Sequence, residues 1–439
     1  MSGGVVTASV IGPLLCSVCN VRPRSRVVKS RARSTQRCYR LAVPAILDRL
    51  QILQRLVAFD TTSSKSNLAC VDFLCELLDR PGVSLRRLPS PDGSKANLLV
   101  ELGPPSDARR GGLMLSGHTD VVPALEPDWS SDPFTLTADG DRLAGRGSAD
   151  MKGFIALAVE TARNVDLARL RAPLALLFTY DEEVGTLGAQ RFAAEWSKTE
   201  PLPRLCVIGE PTSLGVVRMH KGHLKLRVVL RGAPAHSSMP HLGRNAIETG
   251  ARAVAALGAL RDTLRDERSE WSDYFGEVPC VTLNVARIEG GVAVNVVPER
   301  CVIDVGLRLL PGMRSTELIA RVRAALEASI GASPDGVTYT LEENGDSPPL
   351  LSPADAPHAA LLCALVGQTE GRGVAYASDG GPLQALAIDS VLFGPGSIDV
   401  AHRANEWLPR AEFDRASGIL ARAVEHFCGP SPEKDGATA

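Results

Sequence analysis

From residue 46 onward, apolar positions recur first with one period and then with another. Residues 46–58 and 66–79 carry them at the spacing of a single helix face, which predicts two amphipathic helices. ANLLVEL (96–102) and GLMLSGH (112–118) are continuous apolar runs of strand length. Then come a predicted helix at 150–165, a strand APLALLFTY (172–180), a helix at 186–197 and a strand RLCVIGE (204–210). Strands that are apolar on both faces and alternate with helices predict a mostly parallel sheet with both faces covered.

Near Lys221 the pattern changes. A strand HLKLRVVLRG (223–232) leads to a helix at 245–266, with Ile247, Ala251, Val254, Leu257 and Leu264 as its apolar stripe. Strands 281–291 and 300–310 follow. Next are a helix at 315–330, with Ser315 or Thr316 as N-cap and Leu318, Val322, Leu326 and Ile330 facing inward, and a strand at 337–343. Strand-helix-strand-strand-helix-strand is the ferredoxin-like plan. After about 346 the α/β pattern returns: helix 355–369, strand 390–396, helix 410–427. The expected fold is therefore α/β, a mostly parallel-sheet domain (41–221 and 346–430) with an inserted ferredoxin-like α+β lid (222–345). Residues 1–40 are expected to be a separate basic tail.

Composition adds little until it is localised. Hydrophobic residues are 44%, charged residues 22% and net charge −2, so nothing global points to nucleic acid or membrane. Residues 1–40, however, hold eight Arg/Lys and no acid, after an apolar stretch broken by Gly12-Pro13. Positive charge after the apolar part is the reverse of a secretory signal. The expectation is a disordered extension on a cytoplasmic protein, with organellar transit as the alternative. The ten cysteines are unevenly spaced in a chain too large to need staples, which suits a reducing compartment. Cys16 and Cys19 form a CxxC with no second pair to complete a zinc site.

The chemistry gathers in five stretches at or just beyond expected strand ends: LSGHTDVVP (His118, Asp120), GRGSADMKGF (Asp150), TYDEEVG (Asp181, Glu182, Glu183), IGEPTS (Glu210) and GPGSIDVAHRANEW (His402). Open α/β sheets bind ligands beyond the carboxyl ends of their strands. A lone residue of this kind most often caps or is solvated; five of one chemical type at one sheet edge are hard to assemble by chance. Histidine with several carboxylates is the donor set of a Zn, Mn or Co site. Such ions would neutralise acids that otherwise repel each other at 181–183.

HTDVVP, GRGSADMKG, DEEVGTLGA, GEPTS and AHSSMP, in that order, resemble the M20 metallopeptidase and deacylase family, over about residues 45–427. The stretches 209–223, 304–313 and 394–407 most resemble members that remove the acetyl group from N2-acetyl-L-ornithine. The resemblance implies two divalent ions, Zn2+ or Co2+. His118 and Glu210 would hold one, Glu183 and His402 the other, and Asp150 would bridge them. Asp120 would hydrogen-bond the His118 imidazole and fix its tautomer, and Glu182 would be the general base. His236, on the lid, would donate to the oxyanion in the partner subunit's site, which implies a homodimer. Asn295 and Arg308, expected on lid strands, would grip the substrate carboxylate; a lid salt bridge is the plainer role for that arginine.

His220 and His223 flank Lys221-Gly222 and are expected to shape a hinge. His241, His358 and His426 are expected at surface or helix positions. Asp379 and Gly380, in YASDGGPL (376–383), are candidate substrate contacts in a loop unlike that of the acetylornithine-cleaving members. Three alternatives remain: another N-acyl amino acid, such as N-succinyl-diaminopimelate, or a dipeptide as substrate; a non-catalytic binding module; and a nucleic-acid binder resting on the basic tail alone.

Overall fold

The computed structural model describes residues 47–105, 111–196, 200–331 and 336–430, all within one compact unit. The basic tail, the Cys16/Cys19 pair and the last nine residues lie outside the described residues. The apolar runs do form the centre of a nine-stranded sheet. Four adjacent parallel strands, Leu174–Thr179, Leu113–His118, Leu205–Ile208 and Asp389–Leu392, make its middle. Leu174–Thr179 and Leu113–His118 are buried at every position, as two-faced strands require. Ala96–Leu102 joins antiparallel on one side and carries Val83–Pro89 at the edge. Val217–His220 closes the other side, with Leu350–Leu351 and Arg372–Val374.

The helix Gly153–Asn164 is apolar on nearly every side because it is sandwiched, with Arg49–Val57, Leu68–Leu78 and Arg410–Cys428 packed on it. It starts three residues later than expected. Ser148–Lys152 forms an irregular turn in which Asp150 has φ −120° and ψ 91°, so Asp150 lies before the helix rather than in it. Its peptide to Met151 is cis.

The second sheet is wholly antiparallel, in the order Thr282–Gly290, Arg300–Leu309, Gly222–Arg231, Thr338–Ser347. With helices Ala246–Asp266 and Ser315–Leu326 this is the ferredoxin-like plan, and it has its own core of Leu224, Leu226, Val228, Ile303, Val305 and Leu307. Two expectations need correction. The buried stripe of Ala246–Asp266 is Ala246, Thr249, Gly250, Ala253, Leu257 and Leu264; Ile247 and Ala251 are exposed. Small residues turn inward because the helix approaches closely: a Cβ on Gly250 would lie 2.8 Å from Cys301 Sγ. Ser315 does not cap its helix but donates to Asp346 Oδ1 at 2.7 Å. His358 takes the helix position allowed for it, on Pro357–Val366, and is fully buried there. No helix among the described residues is long and apolar enough to cross a membrane.

Candidate metal centre

The four central strands run side by side, and their carboxyl ends bring the candidate residues together. His118 ends one strand, Glu210 lies two residues beyond the next, Glu182 and Glu183 follow the third, and His402 comes ten residues after the fourth. Asp150 reaches them from its turn. His118, Asp150 and Glu210 each offer a ligand atom, and these atoms lie within 4.8 Å of one another; Asp150, Glu183 and His402 do the same. Asp150 belongs to both groups. Its Oδ1 is 3.0 Å from His118 Nε2, and its Oδ2 is 3.3 Å from His402 Nε2, which also lies 3.0 Å from Glu183 Oε2. His118, Asp150 and Glu210 are buried, whereas the His402 side chain is 48% exposed, so the cluster opens to solvent there. Asp181, the first of the three consecutive acids, stands apart, paired with Lys95 Nζ at 2.5 Å.

The electrostatics ask for positive charge. Burial pushes the Glu182 and Glu210 carboxyls well above their ordinary range, and neighbouring carboxylates add to it. Burial and then Asp150 push Glu183 up to about 7. Hydrogen bonds to Asp150 and Glu183 raise His402 to about 10. Burial opposes the charged form of His118, but its bond to Asp150 outweighs this and raises it well above 6.5. Burial likewise opposes ionisation of Asp150, yet the two histidines hold it below the usual carboxylate range. A divalent cation held by these residues would supply that positive charge and take the same lone pairs, because ligands bind metal deprotonated. Glu210 Oε1 is buried and has no hydrogen-bond partner among the described residues, a costly state for an acceptor that nothing engages. Two imidazoles and three carboxylates, one of them the shared Asp150, fit a pair of divalent ions.

Two other carboxylates hold this cluster in place. Asp120 does not fix the His118 tautomer with its side chain, as expected. His118 Nδ1 instead meets the Asp120 main-chain oxygen at 2.9 Å, and the nearer carboxylate oxygen is 3.7 Å away. The Asp120 carboxylate accepts from the Glu182 and Glu183 backbone N–H groups, at 3.0 and 3.3 Å, and from Ser63 Oγ at 2.7 Å. It thus sets the turn that carries both glutamates. Glu406 was not foreseen. It is buried, and it accepts from the N–H groups of Gly147, Ala149 and Asp150, each at 3.0 Å, and from Arg146 Nη1 at 3.0 Å. It therefore positions the backbone of Asp150. The only hint in the sequence was its place in GPGSIDVAHRANEW, four residues after His402.

The lid candidates are placed differently. His236 is exposed, bonded through Nδ1 to Ser238 Oγ at 2.7 Å, and among the described residues it touches none of the cluster. Asn295 is not on a strand: it occupies an exposed turn after Thr282–Gly290, where its carbonyl accepts from Ser237 N at 3.0 Å and ties it to the His236 loop. Arg308 is on Arg300–Leu309, and among the described residues its guanidinium has no hydrogen bond or ion pair, so it forms no lid salt bridge there. Burial lowers its pKa, offset in part by the charge of Glu182. Asp379 is buried. Thr179 Oγ1 donates to its Oδ2 at 2.6 Å, and burial raises it to about 6.

A parallel sheet with an inserted antiparallel lid and a carboxylate-histidine cluster at the strand ends defines a hydrolase of the metallopeptidase type. The chain belongs to peptidase family M20/M25/M40, whose sequence profile matches residues 114–426. It is 36% identical over 372 residues to an acetylornithine deacetylase of Proteus mirabilis (strain HI4320), covering 84% of this chain and 93% of that one. Among solved structures it resembles an M20 family metallo-carboxypeptidase from Sulfolobus solfataricus (TM-score 0.68, 18% identity, 87% of this chain and 99% of that one). It also resembles a dinuclear metal binding peptidase of the M20 family from Bacillus subtilis (TM-score 0.61, 13% identity, 86% and 96%). At such identities these two likenesses speak for the fold alone.

Proposed function

We propose that the chain is a di-metal amidohydrolase that removes the acetyl group from N2-acetyl-L-ornithine, giving L-ornithine and acetate in arginine synthesis. The observation that carries this reading is the pair of ligand groups sharing Asp150, beside a free Glu182, in a chain 36% identical to an acetylornithine deacetylase. In this reading 41–221 and 346–430 form the catalytic domain and 222–345 the lid. His118 and Glu210 hold one ion, Glu183 and His402 the other, and Asp150 both. Divalent ions bound there, Zn2+ or Co2+, supply Lewis acidity that polarises the amide carbonyl and acidifies water.

This chain's residues do the rest. Glu182 makes no side-chain hydrogen bond among the described residues, and burial raises its pKa; it takes a proton from the attacking water and delivers it to the leaving nitrogen. Asp120 holds the backbone of Glu182 in place during both transfers. Arg308 receives the substrate carboxylate, for which its planar fork is suited, and Asn295 assists. His236 donates to the developing oxyanion of a second copy's site. The lid supports that pairing. Met239, Leu242, Val292 and Val294 are exposed around the joined His236 and Asn295 segments, and a second copy would cover them. Free thiols at Cys70, Cys206, Cys280, Cys301, Cys363 and Cys428 suit a cytoplasmic setting.

Turnover of N-acetylornithine, N-succinyl-diaminopimelate, N-acetylmethionine and a dipeptide by zinc- or cobalt-loaded enzyme, against a chelated control, tests the reading. Metal-dependent preference for N-acetylornithine is expected. Preference for another member moves the substrate and keeps the chemistry. Glu182→Gln should retain both metals and lose several powers of ten in turnover; full activity in that variant would refute the assignment of the base.

A further inference from the structure

The lid sheet has a polar face as well as its core face. On Gly222–Arg231, His223 stands directly opposite Arg308 on one neighbouring strand and directly opposite Ser347 on the other. Residues so opposed share a face of the sheet, with Cβ atoms about 4.5–5.5 Å apart. Leu224 and Leu307, the alternate positions, belong to the lid core, so the row Arg308, His223, Ser347 lies on the opposite face. The next row on that face is Gly306, Lys225, Gly345. This face looks onto the turn that carries Glu182: Lys225 Nζ donates to the Val184 carbonyl at 3.2 Å, and Thr186 Oγ1 donates to Ser347 Oγ at 3.1 Å.

The His223 ring is half-buried and, like the Arg308 guanidinium, makes no side-chain hydrogen bond among the described residues. Burial, then Arg308 and Lys225, push its pKa down to about 4, so near neutral pH it is uncharged and keeps one ring N–H. A neutral donor beside an unpaired guanidinium, both taken partly out of water, is costly unless an anion satisfies them. Gly306 puts no side chain between them: a Cβ there would sit 3.5 Å from His223 Nε2, so the glycine leaves a methyl-sized space open beside the ring.

We propose that His223 is a second carboxylate-binding group of the substrate site, its ring N–H and the Arg308 guanidinium together holding the carboxylate of an N-acyl amino acid over the gap left by Gly306. This rests on the amidohydrolase reading and adds a specificity residue to it: the pair selects substrates with a free carboxylate over their carboxamides.

The test is equilibrium binding to metal-loaded Glu182→Gln protein, with N-acetylornithine and its carboxamide as probes. Adding His223→Leu should weaken the carboxylate probe by roughly 10- to 100-fold, the range of a hydrogen bond to a charged group, and the carboxamide by less than about threefold. Gly306→Ala, whose added methyl makes only ordinary contacts, should act in the same direction, and His223→Gln should recover part of the loss. Equal losses for both probes, no loss with His223→Leu, or no carboxylate binding at all would overturn the proposal. Failure of the amidohydrolase reading is seen separately, as absence of turnover by the unsubstituted enzyme across the substrate panel.

Discussion

Replacing Glu406 by glutamine changes one oxygen for an amide nitrogen at the buried carboxylate that holds the backbone of Asp150. The side chain accepts four hydrogen bonds: Ala149 and Asp150 N–H at Oε1, Gly147 N–H and Arg146 Nη1 at Oε2. An amide can keep its oxygen on one pair only, and the other pair then faces an NH2 group, donor against donor. Hydrogen bonds to charged groups contribute about 1.5–3 kcal/mol each, so two losses amount to about 3–6 kcal/mol. Breaking a buried ion pair gives a similar figure, about 3–5 kcal/mol. Arg146 keeps its second partner, Glu126 at 2.9 Å, which favours the lower end, about 3 kcal/mol. Thermal denaturation should then show a midpoint lower by roughly 4 °C. Asp150 serves both ligand groups, so the variant should also lose affinity for both ions together when metal content is measured after dialysis at graded zinc. Glu210→Gln, which touches one group only, should lose one ion. An unchanged midpoint, or loss of a single ion in Glu406→Gln, would refute the view that Glu406 positions the shared aspartate.

Asp120→Ala removes all three bonds to its carboxylate and frees the turn that carries Glu182 and Glu183, whereas Asp120→Asn can keep the 3.0 Å bond to Glu182 N. Steady-state kinetics should rank turnover wild type, then Asn, then Ala, with Ala lower by at least about tenfold; equal activity of the two variants would count against this role. His358 is fully buried, and burial holds its pKa at about 4 against 6.5 when unfolded. Above pH 6.5 neither state binds the proton. Between 6.5 and 4 the unfolded chain binds it and the native chain does not, so stability should fall with pH in that window, by about 3 kcal/mol in all. Urea titrations of metal-free protein should show that slope shrink in His358→Leu. Zinc added to chelated protein should raise the melting midpoint, with about 2.7 kcal/mol of stabilisation at a hundred times its Kd, and Asp150→Ala should abolish the effect.

The sequence by itself determined the two-sheet plan and which residues to propose for the candidate metal centre. Apolar runs such as 174–179 and 113–118 have no polar face to offer water, so they must be buried on both sides, and the alternation at 223–231 dictates a one-faced sheet. That His118, Asp150, Glu183, Glu210 and His402 would gather was legible because side chains placed just past such runs share a sheet edge. Only the tertiary structure decided which carboxylates face the centre and which hold it. Asp181 turns to Lys95, Asp120 spends its charge on backbone N–H groups, and Glu406 reaches back across 256 residues to Asp150. The short strands Val217–His220 and Arg372–Val374 went unread because, unlike the similarly short Leu205–Ile208 and Asp389–Leu392, they carry arginine and give neither a period nor a continuous apolar run. The row Arg308, His223, Ser347 likewise exists only in the register of three strands far apart in the chain. Hydrogen-bond partners and cross-strand neighbours are set by the distance between elements, which one-dimensional spacing does not contain.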